Sequence, residues 1–279
     1  MTIATLLCEL KEKLKAKGIE SYRIDSELIV MNATGCTRVQ LITKEDMPLS
    51  EEQLAVAYNM LKRRMSFEPM QYILGSCEFM DMNFQLNADT LIPRGDTECL
   101  VERVLEHINR TGAKTVLDIG TGSGAIIVSL AALGEIEGVA VDISQNALDM
   151  AENNAKINSV ANKITFIKSD LFENVKGKFD IIVSNPPYIE TDVIKTLESQ
   201  VKDFEPVRAL DGGIDGLDFY RAIVEKAPHF LNPKGYIAFE IGYNQGESVK
   251  ALLENKGFIN VTVGKDLAGL DRTVAGQLK

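Results

Sequence analysis

The chain has 279 residues, is 45% hydrophobic, and carries 30 basic against 40 acidic side chains for a formal net charge of -10 at pH 7. That length exceeds one typical domain, and the apolar content is ample for a core. Residues 1–75 hold 10 basic and 10 acidic side chains, leaving 20 basic and 30 acidic in the rest, so the larger part is a poor partner for a phosphate backbone.

The first ten residues are too short an apolar run for a signal peptide and carry Glu9, and no stretch reaches the length of a membrane span; a cytoplasmic protein without a membrane partner is expected. Cys8, Cys36, Cys77 and Cys99 are scattered, and His107 and His229 lie in helical patterns without neighbouring ligands, so no metal is expected.

Residues 3–17 place Leu6, Leu7, Leu10 and Leu14 on one helical face; a second helix is expected at 25–33, stopped by Gly35, and a short one at 38–43. Ser50 and Gln53 form a capping box that starts a helix at 51–65. Residues 1–72 are therefore expected to form a small helical domain, electrically neutral and suited to recognising a folded protein substrate. Its basic cluster Lys62-Arg63-Arg64 sits where cations complement a helix carboxyl terminus. Residues 73–91 are expected as a β-hairpin linker, and 92–279 as the catalytic domain.

In that domain a strand at 115–118 runs into Gly120-Thr121-Gly122-Ser123-Gly124, which opens an apolar helix at 125–133. Glycines let backbone pass close to a ligand, and a helix amino terminus offers unpaired N–H groups. A second strand, 138–141, ends in Asp142, about 20 residues after the glycines, the spacing of a carboxylate that holds ribose hydroxyls. The glycines also fit a dinucleotide fingerprint, Gly120-x-Gly122-x-x-Ala125. Asp118, just before them, suits a cationic cofactor such as S-adenosylmethionine better than a pyrophosphate. A third strand, 164–168, leads to Asp170, placed to accept from an adenine amino group, with Leu171 and Phe172 to cover the ring.

The apolar strand 179–184 is closed by Asn185-Pro186-Pro187-Tyr188. Two prolines cannot continue a ladder, so the chain leaves the sheet in a stiff loop at a strand carboxyl end, where open α/β sheets bind ligands. There the Asn185 side-chain oxygen and the Pro186 carbonyl suit the two hydrogens of a planar NH2 group lying against the Tyr188 ring. An amide or an exocyclic amine fits equally. Helices at 217–227 and 245–256 and strands at 236–241, 259–263 and 273–275 complete an alternating α/β pattern, which implies a mostly parallel doubly wound sheet.

With D-I-G-T-G-S-G-A-I (118 to 126) and S-N-P-P-Y-I (184 to 189), the chain also carries E-P-M-Q-Y-I-L-G (68 to 75), L-I-P-R-G-D-T-E (91 to 98), F-E-P-V-R-A-L-D-G-G-I-D-G-L-D-F-Y (204 to 220) and F-E-I-G (239 to 242). In this combination it resembles the protein-glutamine N5-methyltransferases that modify peptide chain release factors; N-P-P-Y alone is shared with adenine-amino methyltransferases. Gly95 departs from the family, which has a second proline after the arginine; the change loosens the loop and removes no chemical group.

The resemblance implies a class I S-adenosylmethionine-dependent methyltransferase domain of Rossmann-like α/β fold beside an amino-terminal helical domain, a monomer acting on the glutamine of a Gly-Gly-Gln motif. It implies Asn185, Pro186 and Tyr188 as catalytic, with Pro187 completing the substrate loop. Asp118, Gly120, Thr121, Gly122, Ser123, Gly124, Asp142, Asp170, Leu171 and Asn185 are the expected cofactor contacts. An adenine-N6 nucleic-acid methyltransferase is the alternative. Arg94, Glu98, Glu205 and Glu240 fall in the matched segments without an assigned role.

Overall fold

The computed structural model describes all residues, 1–279. They form two compact units, Met1–Gly75 with Ser199–Phe204, and Ser76–Glu198 with Glu205–Lys279.

The first unit is built from α1 (Ile3–Ala16), α2 (Tyr22–Thr34), α3 (Arg38–Thr43), α4 (Glu51–Met65) and α5 (Met70–Leu74). Ile3, Leu6, Leu10 and Leu14, at helical spacing, are fully buried against Ile29, Val30, Ala57, Met60 and Leu61, while Leu7 lies at the edge of that face. Ser50 and Gln53 do make the capping box of α4, and Thr2 with Thr5 and Thr37 with Gln40 repeat it for α1 and α3. Starting at Tyr22 rather than residue 25, α2 holds Asp25 in its first turn. There Asp25 is buried, accepting from the Ser21 hydroxyl at 2.6 Å and from Arg64 Nε at 2.7 Å. Arg63 of the same basic cluster pairs with Glu68, so two of its three cations serve the fold.

The second unit opens with a hairpin of β1 (Ser76–Phe79) and β2 (Met82–Gln85), followed by α6 (Gly95–Thr111). Expected as a linker, the hairpin is instead an integral part of this unit, because Phe79 and Phe84 are fully buried in its core. Then come β3 (Thr115–Ile119), α7 (Ala125–Leu133), β4 (Glu137–Asp142), α8 (Gln145–Ile157), β5 (Ile164–Lys168) and β6 (Phe179–Ser184). The single-turn helix α9 (Thr191–Ile194) comes next, and after α10 (Ser199–Lys202), whose residues belong to the first unit, the second unit continues with α11 (Asp218–Phe230), β7 (Leu231–Glu240), α12 (Gly246–Asn255), β8 (Phe258–Lys265) and β9 (Asp271–Leu278). Asn154 of α8 clamps the hairpin, accepting from Gln85 N at 2.8 Å and donating to Gln85 O at 3.0 Å.

The seven-stranded sheet runs β5-β4-β3-β6-β7-β9-β8, parallel except for β9, which is antiparallel to both neighbours. Successive residues of a strand face opposite sides, and both sides are covered. Thus Val116, Ile181, Val183 and Ala238 enter one core cluster with α6, α7 and α8, while Leu117, Ile182, Ile237 and Phe239 enter another with α11 and α12. That is why these strands read as continuous apolar runs. Chain order reverses between β3 and β6, which opens a crevice at their carboxyl ends, the place where such sheets bind ligands. No helix is long and apolar enough to cross a membrane.

Candidate active site

A cavity of about 400 Å³ occupies that crevice. Gly120, Thr121, Gly122 and Ser123 line one side, Asp142 ends β4 with Ile143 after it, Ser169, Asp170 and Leu171 follow β5, and Asn185, Pro186 and Pro187 follow β6. Two motifs about 60 residues apart in sequence therefore face one space, since β3 and β6 are adjacent and Ser184 Oγ donates to Ile119 O at 2.6 Å.

The glycine loop is held by its surroundings. Gly120 N and Thr121 N both donate to Val141 O, at 2.9 and 3.0 Å, and Gly122 N donates to Asp142 Oδ2 at 3.0 Å. The other Asp142 oxygen accepts from Ser144 N at 2.9 Å, so this carboxylate organises the loop while facing the cavity. Gly120 and Gly122 have φ of +72° and +55°, a conformation that β-carbon-bearing residues rarely adopt. Gly124, also left-handed at φ +81°, serves packing as well: a Cβ there would lie 3.0 Å from Ala151 Cβ, and the residue does not line the cavity.

Asp118 is also absent from the lining. Fully buried, it accepts from the Thr121 hydroxyl at 2.6 Å and leaves Oδ1 without a partner. Burial, helped by nearby Asp142, pushes its carboxyl up to about 7 against the Thr121 hydrogen bond. Leu171 lines the cavity in a left-handed backbone conformation, φ +47°, while Ser169 Oγ donates to its carbonyl at 2.9 Å. Phe172, expected to cover an adenine ring, is turned away: it is buried and stacks on Phe230 with ring centroids 4.6 Å apart, because its position after the turn faces the core beneath the sheet.

At the N-P-P-Y loop, Asn185 Nδ2 lies 3.4 Å from Thr97 Oγ1, and Pro186 is buried. The Tyr188 hydroxyl lies 3.4 Å from Glu240 Oε1, and burial next to that carboxylate raises its pKa far above the usual phenol range, so it stays neutral. Tyr188 packs at the edge of the core and does not line the cavity. Its carbonyl accepts from Gln245 Nε2 at 2.9 Å, and Gln245 Oε1 in turn accepts from Gly242 N at 3.0 Å, so the start of α12 pins the loop backbone.

Glu240 is buried at the end of β7, with Oε2 unpartnered and its carboxyl pushed up by burial to about 7. Glu205 is also buried and forms an ion pair with Arg94; Glu98 accepts from Met80 N at 2.7 Å and so fixes the hairpin turn. Thr97, Gln245, Arg208 and Phe219 are parts of the site that sequence reasoning missed. Thr97, Arg208 and Phe219 stood inside matched segments, but nothing local in the sequence distinguishes them.

The donor set fits S-adenosylmethionine. Asp89, Asp142 and Asp170 line the cavity, and the sole basic lining residue, Arg208, already faces Asp89 at 3.5 Å. A pyrophosphate would meet these carboxylates; a sulfonium meets compensating charge. Asp142 would take the ribose, Asp170 the adenine amino group, and Leu171 with Ile143 the apolar faces.

Sheet order, glycine loop and cavity define a class I methyltransferase. A methyltransferase from Pyrococcus furiosus has a similar fold, with a TM-score of 0.52 at 17% identity over 82% of this chain and 98% of that one. Residues 5–75 match the family model of the PrmC N-terminal domain, and residues 97–202 that of the methyltransferase small domain. The release factor glutamine methyltransferase of Geobacter sulfurreducens is 41% identical over 99% of this chain and 97% of its own length. That of Clostridium acetobutylicum is 40% identical over 98% of each. The chain belongs to the family of release factor glutamine methyltransferases.

Proposed function

We propose that this protein methylates the side-chain amide nitrogen of the glutamine in the Gly-Gly-Gln motif of peptide chain release factors, with S-adenosylmethionine as donor. The observation that carries this reading is that Asn185, Pro186 and Pro187 line the same cavity as the glycine loop and Asp142. Acceptor groups for an NH2 and the binding surface for a cationic adenosine then meet across one space.

Bound S-adenosylmethionine supplies a methyl group on a sulfonium sulfur, and transfer gives N5-methylglutamine, S-adenosylhomocysteine and a proton. The residues of this chain address the weak nucleophile, an amide nitrogen whose lone pair is delocalised. Asn185 Oδ1 and the Pro186 carbonyl accept its two hydrogens, while Tyr188, outside the cavity lining, holds the loop from the core side. Held so, the nitrogen keeps its lone pair directed at the methyl carbon and becomes tetrahedral as it attacks. Such placement supplies about 7 to 11 kcal/mol of a barrier. No histidine lines the cavity, and none is required, since the nitrogen turns acidic only when methylated and its proton leaves late, to water.

The amino-terminal helical unit is assigned to recognition of the factor, and the enzyme to the cytoplasm, working as a monomer without nucleic acid. The decisive experiment is transfer of labelled methyl to a purified release factor, to the same factor with the Gly-Gly-Gln glutamine changed to alanine, and to duplex DNA. Label on the intact factor alone is expected. Label on DNA would put an adenine-N6 activity in its place.

A further inference from the structure

Residues of a central parallel strand turn their main-chain N–H and C=O groups alternately toward the two neighbouring strands. At the end of β3, Gly120 N donates to Val141 O on the β4 side, so the carbonyl of Ile119 faces β6. The paired register of β3 and β6 ends one residue earlier, at Asp118 and Val183. Carried on by one step, the ladder would bring the Ile119 carbonyl a hydrogen from Asn185 N. The sheet does not take that step, and the carbonyl is served instead by Ser184 Oγ at 2.6 Å.

β6 ends at Ser184, and neither Pro186 nor Pro187 has an N–H with which to bind a neighbouring strand. A side chain thus ties the two strands where the main chain stops doing so. Ser184 is fully buried and lines the cavity, and the one proton of its hydroxyl is committed to this bond. Each partner is the immediate neighbour of one side of the proposed reaction. Ile119 precedes Gly120, whose loop lines the cofactor part of the cavity, and Ser184 precedes Asn185, the acceptor for the substrate amide. At its other end the loop is held separately, by Gln245 Nε2 on the Tyr188 carbonyl at 2.9 Å. Removing the Ser184 hydroxyl therefore releases the Asn185 end and leaves the Tyr188 end in place.

We propose that Ser184, through its hydroxyl on the Ile119 carbonyl, sets the separation between the bound methyl donor and the glutamine nitrogen, and so is a positioning residue for methyl transfer. It acts through two backbones, that of the glycine loop and that of the N-P-P-Y loop. The inference rests on the glutamine-methyltransferase reading above.

The test compares wild type, Ser184→Ala and Ser184→Cys in single-turnover methyl transfer to the intact factor, with calorimetric binding of S-adenosylmethionine and thermal unfolding measured alongside. Alanine removes the hydroxyl and adds no atom; cysteine keeps a weaker donor on a longer bond. Ser184→Ala is expected to lose about 10²-fold in rate, the scale of a reacting group misplaced by about 1 Å, with cofactor affinity and KM for the factor unchanged. Ser184→Cys should fall between alanine and wild type. A bond that only held the sheet together would lower Tm and leave the single-turnover rate of the folded variant as fast as wild type, which would overturn the positioning role alone. Cofactor affinity lost in proportion to rate would overturn it as well. Should the alanine variant not fold, the cysteine variant is held to the same two outcomes. A wild-type enzyme that labels the Gln→Ala factor as well as the intact one, or neither, overturns the functional reading and the inference with it.

Discussion

Asp142→Asn tests the proposed ribose site with the least change in shape. Both carboxylate oxygens already accept backbone hydrogens, Oδ2 from Gly122 at 3.0 Å and Oδ1 from Ser144 at 2.9 Å. An asparagine has one accepting end, so its NH2 must face one of these N–H groups, either at the glycine loop or at the cap of α8. Leaving one such donor unsatisfied costs about 1–3 kcal/mol. Losing the charge toward a ribose hydroxyl costs about 1.5–3 kcal/mol, which taken alone weakens binding about 10- to 150-fold. Titration calorimetry with S-adenosylmethionine should show a loss of at least that lower bound, with thermal unfolding of the ligand-free protein shifted by the backbone part alone. An affinity within twofold of wild type would refute the assignment of Asp142 to the cofactor.

Asn185→Ala is expected to abolish turnover while sparing cofactor affinity relative to Asp142→Ala, measured by the same calorimetry; equal losses would contradict the division of roles. Asp25→Ala strands the buried Arg64 guanidinium and should destabilise the first unit by about 3–5 kcal/mol, read from urea unfolding. Gly138→Ala sets a Cβ 2.7 Å from Ile127 Cδ1, so overpacking between β4 and α7 should cost about 1–3 kcal/mol, visible as a lowered Tm. The carboxyls of Glu240 and Asp118 are each raised to about 7 from ordinary values of 4.5 and 3.8. Because the folded state holds these protons more tightly, that contribution is complete below pH 4 and fades as pH rises through 7. For Glu240 it corresponds to about 3 kcal/mol, and Glu240→Gln should flatten the decline of Tm over that range.

β6 was legible because burial on both faces writes it as a short apolar run, and the edge strand β5, with only Ile164 buried, also falls on the residues expected. Helix ends and sheet edges were less so. α11 was expected to stop before Pro228 but runs on to Phe230, since a proline near the last turn forfeits only one hydrogen bond. β7 begins at Leu231, five residues early, where a register shift against β6 accommodates Asn232, Pro233 and Lys234, residues that read as a turn. At the site, the loops announced themselves through glycine and proline, whose backbone demands are visible one residue at a time. The side chains that brace those loops did not. Thr97 and Gln245 come from α6 and from the cap of α12, and nothing local marks a threonine or a glutamine that will face a loop 88 or 57 residues away. Phe172 shows the converse: proximity to Asp170 in sequence suggested a shared role, but side chains two apart after a tight turn diverge, one to the cavity and the other to the core.

Choice between a glutamine and an adenine cannot lie in the proposed substrate loop, whose Asn185 and Pro186 offer the same two acceptors to either NH2 group. It must lie in what brings the group there. An adenine reaches such a loop only when flipped out of a duplex, and the flanking strands then need cations along the approach. The cavity has one arginine in its lining, Arg208, already engaged with Asp89 and Ser144, and the chain beyond residue 75 carries 30 acidic against 20 basic residues. A Gly-Gly-Gln segment makes no such demand: its glycines carry no side chain, and it brings no phosphates. The consequence is a salt dependence of opposite kind. Activity on the release factor should vary weakly with ionic strength, in contrast to the steep fall that phosphate contacts would impose. A rate falling as a high power of salt concentration would reopen the nucleic-acid reading.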